Sequence, residues 1–183
     1  MTFDFDQEGI ILDACCIINL YASSVMKEVI ESVPLPFFVD QYVREKEALK
    51  IKGQSKNEFI DIDIEPHIQK KILVEVSLSG EDEITAFVNL AASLDDGESR
   101  CGAIAANRNL VVATDEKAGI RVFSNLNPPI PTISTLELLY IWAESKNISP
   151  DVIGSVLKRI QKNASYRPGS NHKFFEWWEK HMS

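Results

Sequence analysis

Gly9-Ile-Ile-Leu-Asp13 and Leu110-Val-Val-Ala-Thr-Asp115 are the two stretches that decide the fold. Each is a short aliphatic run that closes on an acid and passes into a helical pattern. Such runs, with no polar alternation, read as strands buried on both faces at the centre of a parallel sheet. Asp13 and Asp115 then stand at strand carboxyl ends, the edge where open parallel sheets bind ligands. Working outward, Ala14 to about Val33 reads as helix with a break near Ser23-Ser24, and Phe37-Phe-Val39 as a short strand after Pro34-Leu-Pro36. Asp40 caps a helix from Gln41 to about Lys52, and Phe59 to Ile64 alternates like a half-exposed edge segment. Helices are expected at Pro66 to Leu78, Glu81 to Leu94, Glu98 to Asn107 and Lys117 to Phe123. Pro129 to Ile133 reads as extended. Ser134 or Thr135 then caps a helix to Lys146, and Pro150 opens one to Asn163. Strands alternating with helices predict an α/β sandwich around a mainly parallel central sheet.

A chain of 183 residues, 45% hydrophobic and 25% charged, suits one domain or one domain with an appendage. Met1 to Asp6 carries no basic leader, and no apolar run reaches a membrane span, so a cytoplasmic protein without a membrane partner is expected. Three cysteines, two adjacent as Cys15-Cys16, make no disulfide framework and read as reduced core residues. The net charge of −8 argues against a protein that coats nucleic acid nonspecifically. The charge is unevenly spread: Glu58 to Glu98 is strongly acidic, whereas from Lys146 onward seven cations face three acids. A local basic surface of that kind can guide an anionic substrate.

Glu98 opens an Ala-rich helical stretch just after Asp95-Asp-Gly97, where the turn aims it. Together Asp13, Glu98 and Asp115 are three distant acids placed where strands meet helices, and crowded carboxylates call for a hard cation such as Mg²⁺ or Mn²⁺. Taken singly, Asp13 and Asp115 also qualify as helix N-caps, and Asp95 and Asp96 as turn formers. Asp13, Glu98 and Asp115 are expected to converge within one metal's reach.

Ile11-Leu-Asp-Ala-Cys-Cys-Ile-Ile-Asn19, Val43-Arg-Glu45, Leu94-Asp-Asp-Gly-Glu98 and Val112-Ala-Thr-Asp-Glu116, in this order and spacing, resemble the PIN domain family over about Gly9 to Ile148. The resemblance implies a three-layer α/β/α sandwich and a Mg²⁺- or Mn²⁺-dependent endoribonuclease that hydrolyses RNA phosphodiester bonds. Many small members are toxins of type II toxin–antitoxin pairs, which makes a protein antitoxin an implied partner. It further implies that Asp13, Glu98 and Asp115 bind metal, with Glu45 the fourth catalytic carboxylate in preference to Glu47. Thr114 is expected to position water, Glu116 to sit beside the ligands, and Arg100, Arg108, Lys117 and Arg121 to be within reach of substrate phosphates. A nuclease-inactive PIN-like binding or scaffold module is the alternative reading.

The resemblance assigns residues 1–148 to a nuclease domain and leaves 149–183 as a helical extension with an aromatic tail. Phe174, Phe175, Trp177 and Trp178 are too many rings to leave wet. They are expected to pack on the domain, on a second copy in a homodimer, on another protein partner, or on RNA bases.

Overall fold

β1 (Gly9–Leu12) and β6 (Leu110–Ala113), the two aliphatic runs, lie side by side at the centre of a five-stranded sheet with every residue buried. The computed structural model describes residues 6–55 and 57–183; Met1 to Phe5 and Lys56, within the leader reading and the polar turn, lie outside the described residues. Between the two strands the chain runs through α1 (Ala14–Ser23), α2 (Met26–Ile30), β2 (Phe37–Asp40), α3 (Gln41–Lys46), β3 (Lys50–Lys52), β4 (Phe59–Asp61), α4 (Glu65–Gln69), β5 (Leu73–Val76), α5 (Gly80–Leu90) and α6 (Asp96–Arg108). After β6 come α7 (Lys117–Ser124), β7 (Thr132–Ile133), α8 (Thr135–Ser145), α9 (Pro150–Asn163) and α10 (Phe175–Met182).

The sheet order is β5-β2-β1-β6-β7, and every neighbouring pair is parallel. The chain moves outward from β1 to β2 to β5, then returns to place β6 on the other side of β1. Right-handed crossovers taken in opposite directions put their helices on opposite faces. The packing agrees: α1 meets α2, α8 and α9, whereas α5 packs on α6, which covers β1 and β6. The sheet is thus flanked by helices. The reversal of strand order falls between β1 and β6, so the crevice outside their carboxyl ends is where a ligand site is expected in such sheets.

Two expected helices are partly strands. The helix from Gln41 stops at Lys46, and Glu47 turns extended; Lys50 to Lys52 then pairs antiparallel with Phe59 to Asp61. Ile51 between two lysines has the period of a strand, and the half-exposed segment at Phe59 needs that partner for its backbone groups. The helix expected over Pro66 to Leu78 ends at Gln69. Lys71 then takes a positive φ of 56°, and Leu73-Val-Glu-Val76 extends the sheet beside β2. β-branched valines favour the pleated edge over a helix.

The aromatic tail folds onto its own chain. α10 packs on α9, which packs on α1. Trp178 is buried, with its ring edge-on to Tyr166 at 5.8 Å, and Phe174 stacks on Tyr140 at 4.2 Å. Trp178→Ala is expected to destabilise the fold by about 3–5 kcal/mol, the usual cost of emptying a buried tryptophan site. Urea unfolding followed by circular dichroism measures it, and a loss below about 1 kcal/mol would mean the tail is not part of the core.

Candidate metal and active site

At the end of β1 the backbone of Asp13 is extended, and its N–H continues the ladder to the Ala113 carbonyl at 3.0 Å. Its Oδ1 accepts from the Ala14 N–H at 2.7 Å, the N-cap of α1. Oδ2 accepts from the Thr114 hydroxyl at 3.0 Å and from the Cys15 thiol at 3.3 Å. Burial raises the Asp13 carboxyl against these donors. The capping role and the site role therefore coexist: one oxygen serves the helix and the other faces the crevice wall.

Asp95 N-caps α6, its Oδ1 taking the Glu98 N–H at 2.8 Å, which delivers Glu98 to the first turn of that helix. Asp13, Glu47, Asp95, Glu98 and Glu116 line a small cleft of about 110 Å³. That is room for three or four waters at roughly 30 Å³ per water. Glu98 Oε1 is buried in the structure without a hydrogen-bond partner. Burial, with Asp95, Asp13 and Glu116 nearby, pushes its carboxyl up to about 7. Glu47 is also raised, by burial and then by Asp95, Asp13 and Asp96. Gly97 and Gly119 leave the space: an added Cβ would meet Glu47 Oε1 at 2.7 Å and Glu98 Oε1 at 2.8 Å.

Of the acids read from the sequence, Asp13 and Glu98 share this cleft. Asp115 does not line it. Its carboxylate turns the other way, accepting from Asn19 Nδ2 at 2.9 Å, the Thr135 N–H at 3.1 Å, the Thr135 hydroxyl at 2.5 Å and the Tyr166 hydroxyl at 3.3 Å. Burial raises it despite those donors. It pins α1, the start of α8 and the C-terminal segment together. Glu45 stands outside the cleft, exposed and engaged with Gln41 and Arg44. Because α3 ends at Lys46, nearly two turns before the end near Lys52 that its apolar stripe implies, Glu47 leaves the helix surface and reaches the cleft instead. Thr114 is buried and bonded to Asp13, while its Oγ1 also accepts the Glu116 N–H at 3.1 Å, which turns Glu116 toward the cleft.

Arg100 is committed elsewhere: its guanidinium grips the fully buried Asp40 at 2.5 and 3.2 Å and lies over the Tyr42 ring. Asp40 thus holds Arg100 and makes no side-chain cap on α3. Arg108 pairs with Glu83 at 2.7 Å. Lys117 and Arg121 are exposed on α7 with no ion-pair partner among the described residues.

Cys15, Cys16 and Asp115 could hold a metal ion: one ligand atom from each lies within 4.8 Å of the others, and among the described residues no other such group of three occurs. Its thiols are soft donors, and burial pushes the Cys16 thiol well up, which keeps its proton on. The carboxylate cleft offers the opposite chemistry, hard oxygens with one buried Glu98 oxygen unpaired, but no three of its acids bring ligand atoms within 4.8 Å of one another. Sequence reading assigns Asn19, Thr135 and Tyr166 no role at the site and ranks Glu47 behind Glu45; of the first three only Asn19 carries a signal, a polar residue inside the apolar run Ile17-Ile-Asn-Leu20. No family model, no curated protein and no solved structure matches this chain.

The Glu98 carboxyl, raised in the fold from 4.5 to about 7, makes stability depend on pH. The folded state holds this proton more tightly, so its contribution is complete below the unfolded value of 4.5 and is lost as pH rises through about 7. In buffer containing a chelator, Glu98→Gln is expected to raise the melting temperature at pH 8, with the gain vanishing at pH 4. An unchanged difference across that range, followed by scanning calorimetry, would remove the buried acid from the account.

Proposed function

We propose that the chain is a PIN-type endoribonuclease dependent on Mg²⁺ or Mn²⁺, with the carboxylate cleft at the end of β1 as its catalytic site. The observation that carries this reading is the buried, unpartnered oxygen of Glu98, one of five acids that line a cleft beside the reversal of strand order. Buried polar atoms without partners are rare in proteins, and a hard cation is the ligand that satisfies this one. Asp13, Glu98, Glu47 and Glu116 would hold the ion. When bound, the ion would lower the pKa of a nearby water, orient the scissile phosphate and offset charge in the transition state.

The protein's own groups set the conditions for this. Thr114 fixes the Asp13 carboxylate, and Asp95 fixes the helix start that carries Glu98. Glu98 Oε1 takes either a proton or the cation, so cation affinity falls as pH drops below about 7. The assignment of the sandwich to the PIN type, and a role as the toxin of a type II pair held by a protein antitoxin, belong to the same proposal and rest on the ordered motifs.

Purified protein incubated with single-stranded RNA should cut it when Mg²⁺ or Mn²⁺ is present and stop when the ion is chelated. Asp13→Asn and Glu98→Gln are expected to lower the rate by more than about 100-fold, beyond the effect usual for partners outside the ligand layer. Glu45→Gln should leave it unchanged. Asp115→Asn should instead lower thermal stability by about 1–3 kcal/mol, because its new N–H₂ would confront the donors of Asn19 or of Thr135 and Tyr166. Cleavage by the Asp13→Asn protein at the native rate would overturn the reading.

A further inference from the structure

On the other side of residues 114–116 lies a second and larger cleft of about 760 Å³. One wall is Thr114, Asp115 and the start of α7 with Lys117. The other is the α9–α10 connection, with Tyr166, Arg167 and Lys173. The strand end divides its side chains between the two spaces: Glu116 faces the carboxylate cleft, Asp115 faces this one, and Thr114 forms the partition by bonding Asp13.

The charges of the two spaces differ. The first is lined by five acids. The second offers Lys117 and Arg167, and its acids are occupied: Asp115 is held by Asn19, Thr135 and Tyr166, and Glu137 by Ser134 and Lys173. Arg167 meets Glu179 at 3.2 Å, with about half of each side chain exposed, a pairing that water screens and an arriving phosphate can replace. Lys117 has no ion-pair partner among the described residues. In a chain of net charge −8 these two cations stand close to the acids of the first cleft.

We propose that this cleft binds the sugar–phosphate backbone of single-stranded RNA next to the bond that is cut, with Lys117 and Arg167 on its phosphates. This rests on the nuclease reading of the neighbouring cleft. A cleft of this volume falls within the range of small-ligand sites, about 300–1,000 Å³, and so takes one strand and not a duplex. An acidic peptide would satisfy the cations, but the adjacent residues Asp115 and Glu116 lining the two clefts favour a polymer whose next phosphate can reach the carboxylates. The C-terminal extension then supplies one wall of the substrate groove, and the tail rings hold that wall in place through Trp178 against Tyr166.

The test is fluorescence anisotropy with a labelled single-stranded RNA of about ten nucleotides, in an Asp13→Asn background and chelator so that nothing is cut. Each phosphate contact in a single strand contributes roughly 0.7 to the slope of log affinity against log salt. Adding Lys117→Ala and Arg167→Ala should therefore flatten the slope by about 1.4 and weaken binding at least tenfold at low salt. Unchanged affinity and slope, no binding by the Asp13→Asn parent, equal affinity for duplex RNA, or equal displacement by polyglutamate would each overturn the proposal. Metal-dependent cleavage by the native chain is scored separately, so the groove can fail while the catalytic site stands.

Discussion

The register of β1 against β6 holds the rest in place. Leu12 pairs with Ala113, and the Asp13 N–H closes the ladder on the Ala113 carbonyl. That one alignment sets Asp13 and Thr114 side by side at the sheet's carboxyl edge. A slip of one residue would turn each side chain to the other face and bury the wrong atoms. On its other flank β1 is fixed by Gly9, where an added Cβ would stand 2.4 Å from the Phe38 ring and 2.8 Å from the Pro36 carbonyl. Close strand approach on one side and strict register on the other leave Asp13 a single position.

From that alignment the electrostatics follow. Three consecutive residues, Thr114, Asp115 and Glu116, leave β6 in three directions. Thr114 neutralises nothing but orients Asp13, Asp115 becomes a hydrogen-bond hub between α1, α8 and the C-terminal segment, and Glu116 joins the acids. The site therefore combines one satisfied carboxylate used as mortar with a cluster in which burial, and then the neighbouring acids, raise Asp13, Glu47 and Glu98. Crowding of this kind costs stability in the bare protein, and structures tolerate it where a function uses it.

The parallel sheet, its two central strands and the meeting of Asp13 and Glu98 in one cleft were legible in the sequence. An aliphatic run without polar alternation has to be buried on both faces, and an acid at its end then falls on the sheet's carboxyl edge. The division of labour was not legible. Asp13 and Asp115 look alike as strand-end acids, yet Asn19, Thr135 and Tyr166 claim the second, and those three come from distant segments that no local pattern links to it. Glu45 and Glu47 exchange places for a local reason. An apolar stripe through Val43, Ala48 and Ile51 mimics a longer helix, while the true constraint is β4, which needs Lys50 to Lys52 as its partner. β5 was hidden in the same way, since Pro66 and the periodic apolar residues after it imitate a helix until Lys71 turns the chain. The aromatic tail was legible as buried, and its partner turned out to be its own chain.

Occupancy of the carboxylate cleft by a hard cation is the claim on which the functional account stands. Titrating the protein with Mn²⁺ and following the electron paramagnetic resonance signal of the free ion measures it without any substrate. The account predicts that the native chain and Glu45→Gln remove the signal alike, while Glu47→Gln weakens binding and Asp13→Asn and Glu98→Gln nearly abolish it. Equal Mn²⁺ binding by the native and Glu98→Gln proteins would contradict it.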